Sequence, residues 1–304
     1  MTMREVFLDE LYKLALKDKD IVILSGDLGS ASLNKIKELP NQFFNVGVAE
    51  ENMIATATGL TLEGKKVFTY ALMPFSTLRC YEFVKLDVSY MNLPITIIGV
   101  GAGFSYENTG ETHYSIGDIS IMRALPNFTI LCPSDNIMAG KFAQIAHNPT
   151  YVRLDRAELP NIYKEGDDFS DGLTNLKDGE VYIISTGNMV HRALEVAGKI
   201  GAGVIDLYRI KPINEALLLN YIDEVNGIVT LEEHQLAGGL GSAIAEILVD
   251  NNIRIPLKRI GIHDKYCHVY GGRSNAQLSM GLDVDSIIKV ITGWLNGDEG
   301  THNR

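Results

Sequence analysis

The feature that most limits the fold is an alternation of short apolar runs with segments of helical period along almost the whole chain. The runs are rich in branched residues, which is typical of buried strands. They are Ile21–Leu24, Val67–Leu72, Ile95–Val100, Thr129–Cys132, Tyr151–Leu154, Val181–Thr186, Val204–Tyr208, Ile228–Leu231 and Leu257–Ile262. The intervening segments of helical period are Glu50–Leu62, Thr77–Tyr90, Gly117–Leu125, Asn136–His147, Met189–Ile200, Ala216–Asp223, Leu240–Asp250 and Val284–Trp294. Alternation of this kind predicts an α/β fold with parallel sheets.

The alternation is interrupted once, in a stretch rich in glycine, aspartate and proline between about 157 and 180. A chain of 304 residues is also longer than a typical single domain. The sequence therefore predicts two consecutive α/β domains with mainly parallel sheets, at residues 1–165 and 175–304, joined by a linker at about 157–180.

Composition limits the partners. The chain has 46% hydrophobic and 21% charged residues, which is typical of a soluble globular protein. A formal net charge of -11 argues against nucleic acid or an anionic membrane as a partner. No apolar run approaches the roughly 20 residues needed to span a bilayer. Three widely separated cysteines, without a Cys-x-x-Cys pair, indicate reduced thiols and a cytoplasmic location.

Glu50 stands between an apolar run and a helical segment whose Met53, Ile54 and Ala57 form one apolar face. On its own, an acidic residue in the first turn of a helix is favoured by the helix dipole. In context, Gly47-Val48-Ala49-Glu50 resembles the "G-[IV]-x-E" segment of the transketolase family. The resemblance implies that Glu50 forms a hydrogen bond with the aminopyrimidine ring of thiamine diphosphate and helps to activate that cofactor. Burial, which raises the pKa of a carboxyl group, makes such a hydrogen bond feasible near neutral pH.

A second junction of strand and helix follows Val67–Leu72 and contains Phe75 and Arg79. Aromatic residues in such runs are most often ordinary core residues. In transketolases, however, an aromatic residue at this junction stacks on the aminopyrimidine ring, and the resemblance assigns this role to Phe75, with Tyr70 as the alternative. Arg79 is assigned to the cofactor site as well, although its spacing from Phe75 differs by one residue from the commonest pattern of the family.

The segment Gly110-Glu111-Thr112-His113 follows a glycine-rich loop, and Asp118, Arg123 and Pro126-Asn127 come after it. This block resembles the transketolase pattern "G-P-[TS]-H-Q … E-D … R-x-[IL]-P-N". The match implies that His113 faces the reacting carbons, where it moves protons or stabilises an oxyanion. Two positions depart from the family. Thr109 stands where many members have a substrate-binding Asp, and Gly101 stands where many have a His, so the resemblance implies an altered sugar substrate.

Two further segments concern the substrate. Asp27 matches the Asp of the family's "G-[SG]-x-D-L" loop near the cofactor and the substrate channel, and Ser30 and Ser32 straddle the place where a Ser often helps to hold a substrate phosphate. Arg156 matches an Arg that contacts this phosphate, a task for which a planar guanidinium is well suited. An ordinary turn at Asp27 and a surface ion pair between Asp155 and Arg156 remain open alternatives.

In the second predicted domain, Glu232-Glu233-His234 followed by Gly238-Gly239-Leu240-Gly241 resembles the "E-[ED]-H … G-G-[LF]-G" segment of the transketolase C-terminal domain. The family uses this domain mainly for assembly. No metal site is predicted in this chain.

The sequence contains no Gly-Asp-Gly followed at a suitable distance by Asn, the pattern with which transketolases hold Mg²⁺ and the diphosphate. The resemblance therefore implies the C-terminal subunit of a split transketolase. A separately encoded N-terminal subunit would hold most of the diphosphate and Mg²⁺, and two such pairs would form a heterotetramer. The enzyme would transfer a two-carbon ketol unit from a ketose, with or without a phosphate, to an aldose.

Three alternatives remain at this point. The β subunit of a thiamine-dependent 2-oxoacid dehydrogenase has the same architecture, but the Gly-Glu-Thr-His and Arg-x-x-Pro-Asn patterns favour transketolase. A deoxyxylulose-phosphate synthase shares the Ala-Glu at Glu50 and lacks the His at the Gly101 position, but normally has both halves on one chain. The third alternative is a non-catalytic scaffold or regulatory subunit, against which Glu50 and His113 argue.

Overall fold

The computed structural model describes residues 1–144 and 148–297, which form two sheets flanked by helices. A seven-stranded sheet has the order β10-β5-β6-β4-β3-β1-β2, and a five-stranded sheet has the order β12-β11-β8-β9-β7. The strands are β1 (Ile21–Ser25), β2 (Phe43–Asn45), β3 (Lys66–Leu72), β4 (Thr96–Val100), β5 (Thr129–Leu131), β6 (Thr150–Leu154), β7 (Thr174–Lys177), β8 (Val181–Ser185), β9 (Gly203–Asp206), β10 (Arg209–Lys211), β11 (Gly227–Gln235) and β12 (Leu257–Ile262). Every pair of neighbouring strands is parallel except β10 with β5 and β7 with β9. The predicted fold class, α/β with mainly parallel sheets, is confirmed.

The helices lie between the strands, as the alternation predicts. They are α1 (Met3–Lys17), α2 (Ala31–Ile36), α3 (Glu50–Leu62), α4 (Tyr81–Phe83), α5 (Asp118–Arg123), α6 (Asn136–Phe142), α7 (Met189–Ile200), α8 (Glu215–Tyr221), α9 (Leu240–Asp250), α10 (Arg273–Ser279) and α11 (Val284–Leu295). The helix predicted over 136–147 ends at Phe142, and its residues 145–147 lie outside the described residues, as does 298–304 of the second predicted domain. Within the described ranges, no helix is both long and apolar enough to cross a membrane.

The segment after β3 is not the regular α-helix that the sequence predicts over Thr77–Tyr90. Two π-helical stretches, Phe75–Arg79 and Val84–Tyr90, enclose the single α-helical turn α4. A π-helical turn contains one extra residue and changes the angles between successive side chains. It therefore alters the direction in which Phe75 and Arg79 point relative to each other.

The edges of the two sheets also differ from the pattern in the sequence. β7 lies within the predicted linker of 157–180 and pairs antiparallel with β9. β10 follows β9 in the chain but pairs antiparallel with β5 of the seven-stranded sheet. Both strands are short and half-buried, so they lack the continuous apolar run by which the central strands are recognised.

Three clusters of buried apolar residues form the core. The first packs α3 and the π-helical segment against one face of the seven-stranded sheet and continues to the five-stranded sheet, where it includes α8 and α9. The second packs α1 and α2 against the opposite face of the seven-stranded sheet, and the third packs α7 and α11 against the five-stranded sheet. In the first sheet, β4, β3, β1 and β2 are consecutive neighbours. Because they are parallel, the loops after their carboxyl ends meet at one edge, where α/β folds place ligands.

Candidate active site

Glu50 is the first residue of α3 and is fully buried. Its Oε2 accepts a hydrogen bond from Nη1 of Arg79 at 2.7 Å, whereas its Oε1 is buried without any hydrogen-bond partner. A Cβ atom at Gly26, which follows β1, would lie 3.1 Å from this Oε1, so the absence of a side chain there leaves room for the carboxylate. A buried acceptor without a partner is costly, which makes Glu50 a candidate for binding a ligand that donates a hydrogen bond.

Arg79, Phe75 and His113 form a chain of contacts that begins at Glu50. The guanidinium of Arg79 stacks on Phe75, with Cζ 3.8 Å from the ring centroid. The ring of His113 meets the ring of Phe75 edge to face at 5.4 Å between centroids. The structure thus brings together Glu50, Phe75, Arg79 and His113, although they follow three different strands.

His113 is half-buried, and its ring is held by neighbouring groups. Its Nδ1 lies 2.7 Å from Oγ1 of Thr112, and its ring centroid is 6.3 Å from that of Tyr106. With Nδ1 engaged by a hydroxyl, Nε2 is the ring nitrogen without a hydrogen-bond partner among the described contacts. This arrangement is suited to general acid–base chemistry.

Tyr70 does not join this group. Successive side chains of a strand point to opposite faces, and Tyr70 packs into the core cluster of α1 and α2, while Ala71 faces the cluster that contains α3. Tyr70 lies near Arg4 and Ser30, and burial raises its pKa to about 12. Its hydroxyl is buried beside the polar side chains of Ser30 and Arg4.

Arg4 connects Tyr70 to Tyr106, which lies in the loop after β4. Its side chain lies near Tyr106 as well as Tyr70, and its Nε is buried without a partner. Arg156 is exposed, stacks on the ring of Tyr106 with Cζ 4.1 Å from the ring centroid, and donates from Nη1 to the carbonyl oxygen of Ser105 at 3.3 Å. Two guanidinium groups therefore lie near one tyrosine, an arrangement suited to binding an anion.

The ring of Tyr106 packs closely against Gly101. Its φ of +105° is a conformation that side chains rarely adopt, and a Cβ atom there would lie 2.4 Å from the ring of Tyr106. The position at which many transketolases have a His thus has no room for a side chain, because the ring of Tyr106 fills the space.

The remaining predicted residues lie at the rim. Asp27 is exposed, has a φ of +60° and accepts a hydrogen bond from the side chain of Asn45 at 2.9 Å. Ser30 caps the N-terminus of α2, where its Oγ accepts from the backbone of Leu33, while Ser32 is buried inside that helix. Thr109 is exposed in a 3₁₀ turn, Glu107–Thr109. Of this set, only Ser30 lies near the group around Tyr70.

The alternative ion pair between Asp155 and Arg156 is not formed. Asp155 is buried and binds Arg273 of α10 through two hydrogen bonds, from Nη1 at 2.8 Å and from Nη2 at 2.7 Å. Although burial opposes ionisation, Arg273 holds the pKa of Asp155 below its ordinary value. The guanidinium of Arg156 is therefore not neutralised by its neighbour in the sequence.

Buried charged and histidine side chains lie where the two sheets meet. Arg153 of the seven-stranded sheet forms a buried ion pair with Asp118 at 2.8 Å, and its Nη2 donates to the carbonyl oxygen of Glu233 in β11 at 3.5 Å. His234 accepts a hydrogen bond on Nε2 from the backbone nitrogen of Ile119 at 3.1 Å, and its Nδ1 contacts the carbonyl oxygen of Gln235 at 2.8 Å. Burial lowers the pKa of His234 to about 4, so it is neutral at pH 7 and serves as a structural acceptor.

Sequence reasoning missed Arg4, Tyr106 and Arg273. The sequence did contain a signal for Arg4. A basic residue in the first turn of a helix interacts unfavourably with the helix dipole, which indicates that the residue is there for a contact elsewhere. No local pattern marks Tyr106, whose contacts include the distant Arg4 and Arg156, or Arg273, whose partners Ala102 and Asp155 lie far away in the chain. Among the described residues, no three His, Cys, Asp or Glu side chains cluster so that they could hold a metal ion.

Two family models match the chain. The model for "Transketolase, pyrimidine binding domain" matches residues 1–161, and the model for "Transketolase, C-terminal domain" matches residues 172–287. The first includes Glu50, Phe75, His113 and Arg156, and the second includes Arg273.

Curated relatives match over nearly the full length. A 6-deoxy-6-sulfo-D-fructose transketolase subunit of Clostridium sp. (strain MSTE9) is 38% identical over 300 residues, covering 95% of this chain and 92% of that protein. One of the apulose-4-phosphate transketolase subunits of Phocaeicola vulgatus is 36% identical over 301 residues, covering 94% and 95%. Among solved structures, a split-gene transketolase described as an inactive β4 tetramer has a TM-score of 0.85 and 31% identity, covering 97% of this chain and 99% of that one.

Proposed function

This chain belongs to the transketolase family, and we propose that it is the subunit of a split, thiamine-diphosphate-dependent transketolase that carries Glu50 and the substrate site. The enzyme transfers a two-carbon ketol unit from a ketose to an aldose. The observation that carries the proposal is Glu50, a buried carboxylate at the head of α3 with one unpartnered oxygen, which Arg79 connects to Phe75 and His113. The full-length likeness to transketolase subunits favours this function over a 2-oxoacid dehydrogenase, a deoxyxylulose-phosphate synthase or a scaffold.

The residues around Glu50 fit the aminopyrimidine ring of thiamine diphosphate. The unpartnered Oε1 needs a donor, and a ring nitrogen or amino group can satisfy it. Phe75 offers a flat apolar face for stacking, provided that the guanidinium of Arg79, which covers it at 3.8 Å, moves aside. When bound, thiamine diphosphate supplies the carbon nucleophile that takes up the two-carbon unit.

Two groups of this chain act on the sugar. His113 lies between Phe75 and Tyr106 and exchanges protons with substrate hydroxyl groups through Nε2. Arg156 and Arg4, both near Tyr106, bind an anionic group at the far end of the sugar. Ser30, near Tyr70 and Arg4, adds a hydroxyl to that end. Asp27, Ser32 and Thr109 remain proposed contacts at the rim.

The partner subunit is proposed to dock on the helical segment that carries Phe75 and Arg79. Its outer face exposes an apolar stripe, which we define as Leu78, Phe83, Leu86 and Tyr90. Exposed apolar side chains next to an incomplete polar site are typical of an interface. The partner would supply the sites for the diphosphate and Mg²⁺, and two such pairs would form a heterotetramer.

The substrates are proposed to be specialised sugars. Relatives of this chain are named for 6-deoxy-6-sulfo-D-fructose and for apulose 4-phosphate, each of which carries an anionic group. In this chain Tyr106 fills the place of the His that many transketolases use, and Thr109 replaces an Asp, so the hydroxyl groups of the sugar meet different partners.

We also retain the proposed division of the chain at residues 1–165 and 175–304, with a linker at about 157–180. Limited proteolysis that cuts first within 157–180 would support it. A cytoplasmic location is proposed because all three cysteines are buried and free.

The proposed function is tested by reconstitution. Purified from its native cell, the chain is expected to bring with it a protein that contains Gly-Asp-Gly…Asn. The complex is expected to bind thiamine diphosphate with Mg²⁺ and to transfer a ketol unit from hydroxypyruvate to an aldose. The chain alone is expected to be inactive. Full activity of the chain alone, or a complex that binds the cofactor but transfers no ketol unit to any aldose, would contradict the proposal.

A further inference from the structure

Arg273 is the first residue of α10, in the part of the chain that matches the C-terminal domain model, yet it reaches the loop that carries the substrate groups. Only 17% of its side chain is exposed. It contacts three groups that lie far from it in the sequence: the carboxylate of Asp155, the carboxylate of Glu233 and the carbonyl oxygen of Ala102. None of these three groups belongs to the proposed cofactor site.

The guanidinium of Arg273 is held rigidly. Nη1 and Nη2 donate to the two oxygens of Asp155 at 2.8 Å and 2.7 Å, and Nε donates to Glu233 at 3.1 Å. Nη2 also contacts Oε2 of Glu233 and donates to the carbonyl oxygen of Ala102 at 3.3 Å. A planar guanidinium fixed on two carboxylates in this way has essentially one orientation.

Asp155, which Arg273 holds, in turn binds the backbone that follows Arg156 and the loop on which Arg156 rests. Its Oδ1 accepts a hydrogen bond from the backbone nitrogen of Ala157 at 2.7 Å, which fixes the chain immediately after Arg156. The same Oδ1 accepts from Oγ of Ser105 at 3.2 Å. Arg273 and Asp155 thus anchor the backbone that carries Arg156 and the loop on which it rests.

Arg156 depends on that loop for its direction. Its guanidinium is exposed. Among the described contacts, two groups hold it: the carbonyl oxygen of Ser105 at 3.3 Å and the ring of Tyr106 at 4.1 Å. A long exposed side chain samples many rotamers unless its surroundings restrict it. If Ser105 and Tyr106 shift, the guanidinium of Arg156 shifts with them.

We propose that Arg273 is a positioning residue for Arg156, by which the C-terminal domain sets the affinity of the enzyme for the anionic end of its sugar. The group that Arg156 would bind is a tetrahedral anion, a phosphate or a sulfonate, at the end of the sugar remote from the transferred carbons. This inference rests on the proposed function, because it assigns Arg156 to the substrate.

The alternative is that Arg273 only holds the two sheets together. A residue with that role alone would affect every substrate equally and would show its effect in stability. A positioning residue would affect substrates that carry the anion and spare those that lack it. The two roles are therefore separable by comparing a charged with an uncharged acceptor.

The variant Arg273→Lys keeps the positive charge between Asp155 and Glu233 but cannot form the two-pronged contact with Asp155. In the assembled enzyme, with hydroxypyruvate as donor, the KM for D-glyceraldehyde 3-phosphate is expected to rise about tenfold, as for loss of one charge-assisted hydrogen bond. The kcat and the KM for uncharged D-glyceraldehyde are expected to stay within about twofold. Asp155→Asn, which keeps an acceptor for Ala157, is expected to show the same selective change.

Arg192→Met is the matched control. Arg192 lines the same 270 Å³ cavity as Arg273 and donates to Gln277 at 3.1 Å, but it makes no described contact with Asp155 or with the loop of Ser105 and Tyr106. It is expected to leave both KM values unchanged. Equal changes for the two acceptors in Arg273→Lys, or a fall in melting temperature without a selective rise in KM, would overturn the proposal.

A second readout does not require turnover. Inorganic phosphate serves as the probe, and its Kd for the assembled enzyme is measured by calorimetry at low salt. Arg273→Lys and Asp155→Asn are each expected to weaken phosphate binding about tenfold. An unchanged Kd in both variants refutes the role of Arg273. If the wild-type enzyme transfers no ketol unit but its phosphate affinity responds to both variants, the proposed function fails while the positioning role stands.

Discussion

Carboxylates are buried in two regions of this molecule, and the two regions differ in the hydrogen-bond donors that they offer to the carboxylate oxygens. Between the sheets, Asp118, Asp155 and Glu233 have hydrogen-bond donors on both oxygens, supplied mainly by Arg153 and Arg273. At the head of α3, Glu50 has Arg79 on one oxygen and nothing on the other. The first region is complete within this chain, and the second is not.

The difference shows which polar clusters stabilise a fold and which await a partner. A fully satisfied buried cluster fixes one arrangement of the elements around it. A buried carboxylate with a missing donor raises the free energy of the chain until a ligand or another chain supplies that donor. The exposed apolar stripe is the second feature that we propose the partner subunit covers.

The largest effect is expected from removing the acid at Glu50. Glu50→Gln keeps the shape but replaces the acid by an amide, so kcat of the assembled enzyme is expected to fall by about a hundredfold or more. The melting temperature is expected to change little, because the side chain still fills its site. Steady-state kinetics and thermal unfolding measure the two quantities.

Glu51→Gln, at the next position of the same helix, is the matched control and is expected to keep full activity. Unchanged turnover in Glu50→Gln would remove the catalytic role of Glu50 and would favour a scaffold function.

A substitution in the region between the sheets is expected to lower the free energy of unfolding. Arg153→Met leaves Asp118 buried without its cation, and the free energy of unfolding is expected to fall by about 3–5 kcal/mol. Urea denaturation measures it. Lys35→Met breaks the exposed pair of Lys35 with Asp9 and is expected to cost less than about 1 kcal/mol. Equal losses in the two variants would contradict the distinction between the regions.

Asp206 represents an intermediate case, because it is buried beside hydroxyl groups without a cation. Ser134 and Tyr163 donate to its Oδ2, and its Oδ1 has no partner. Burial raises the pKa of Asp206 from 3.8 to about 7. Between these two values the folded state binds a proton that the unfolded state has released, so this group makes stability fall as pH rises, and its effect levels off above about pH 7.

Burial also raises the pKa of Glu232 to about 7, which acts in the same direction. His234 opposes these two carboxyl groups up to about pH 6.5, because burial lowers its pKa from 6.5 to about 4. Two carboxyl groups outweigh one imidazole, so the melting temperature of the wild type is expected to fall from about pH 5 to about pH 7.5, and Asp206→Asn is expected to reduce this fall, which then lies mainly above about pH 6.5. The exposed Asp168, whose pKa its hydrogen bonds to Ser170 lower, provides the control Asp168→Asn, for which the wild-type profile is expected. A profile in Asp206→Asn as steep as that of the wild type would refute the assignment.

The smallest effect is expected at Arg79. Its pair with Glu50 and its stacking on Phe75 occupy the groups proposed for the cofactor, and each contact of a partly exposed Arg is worth about 1 kcal/mol or less. Arg79→Met is expected to tighten the binding of thiamine diphosphate to the assembled enzyme by about two- to fivefold. Titration calorimetry measures the Kd. Weaker binding would show instead that Arg79 contacts the cofactor, as the sequence resemblance suggests.

The regular elements of the fold were predictable because their signal is local. Helices Glu50–Leu62, Met189–Ile200 and Leu240–Asp250 and strand Leu257–Ile262 have the predicted bounds. The short edge strands β7 and β10 and the π-helical turns were not predictable, because half-buried strands lack a continuous apolar run and a π turn has the composition of an ordinary helix.

The α/β fold, the place of Glu50 at the head of a helix and the loop that carries His113 all follow from the residue order, since each depends on residues close together in the chain. Three features were decided only by the packing of the molecule. Phe75 rather than Tyr70 lies in the group around Arg79 and Glu50, the ring of Tyr106 fills the space at Gly101, and Asp155 binds Arg273 rather than Arg156. Asp155 and Arg273 are 118 positions apart. Contacts of this kind depend on how the sheets pack, and packing leaves no periodic pattern in the residues that it brings together.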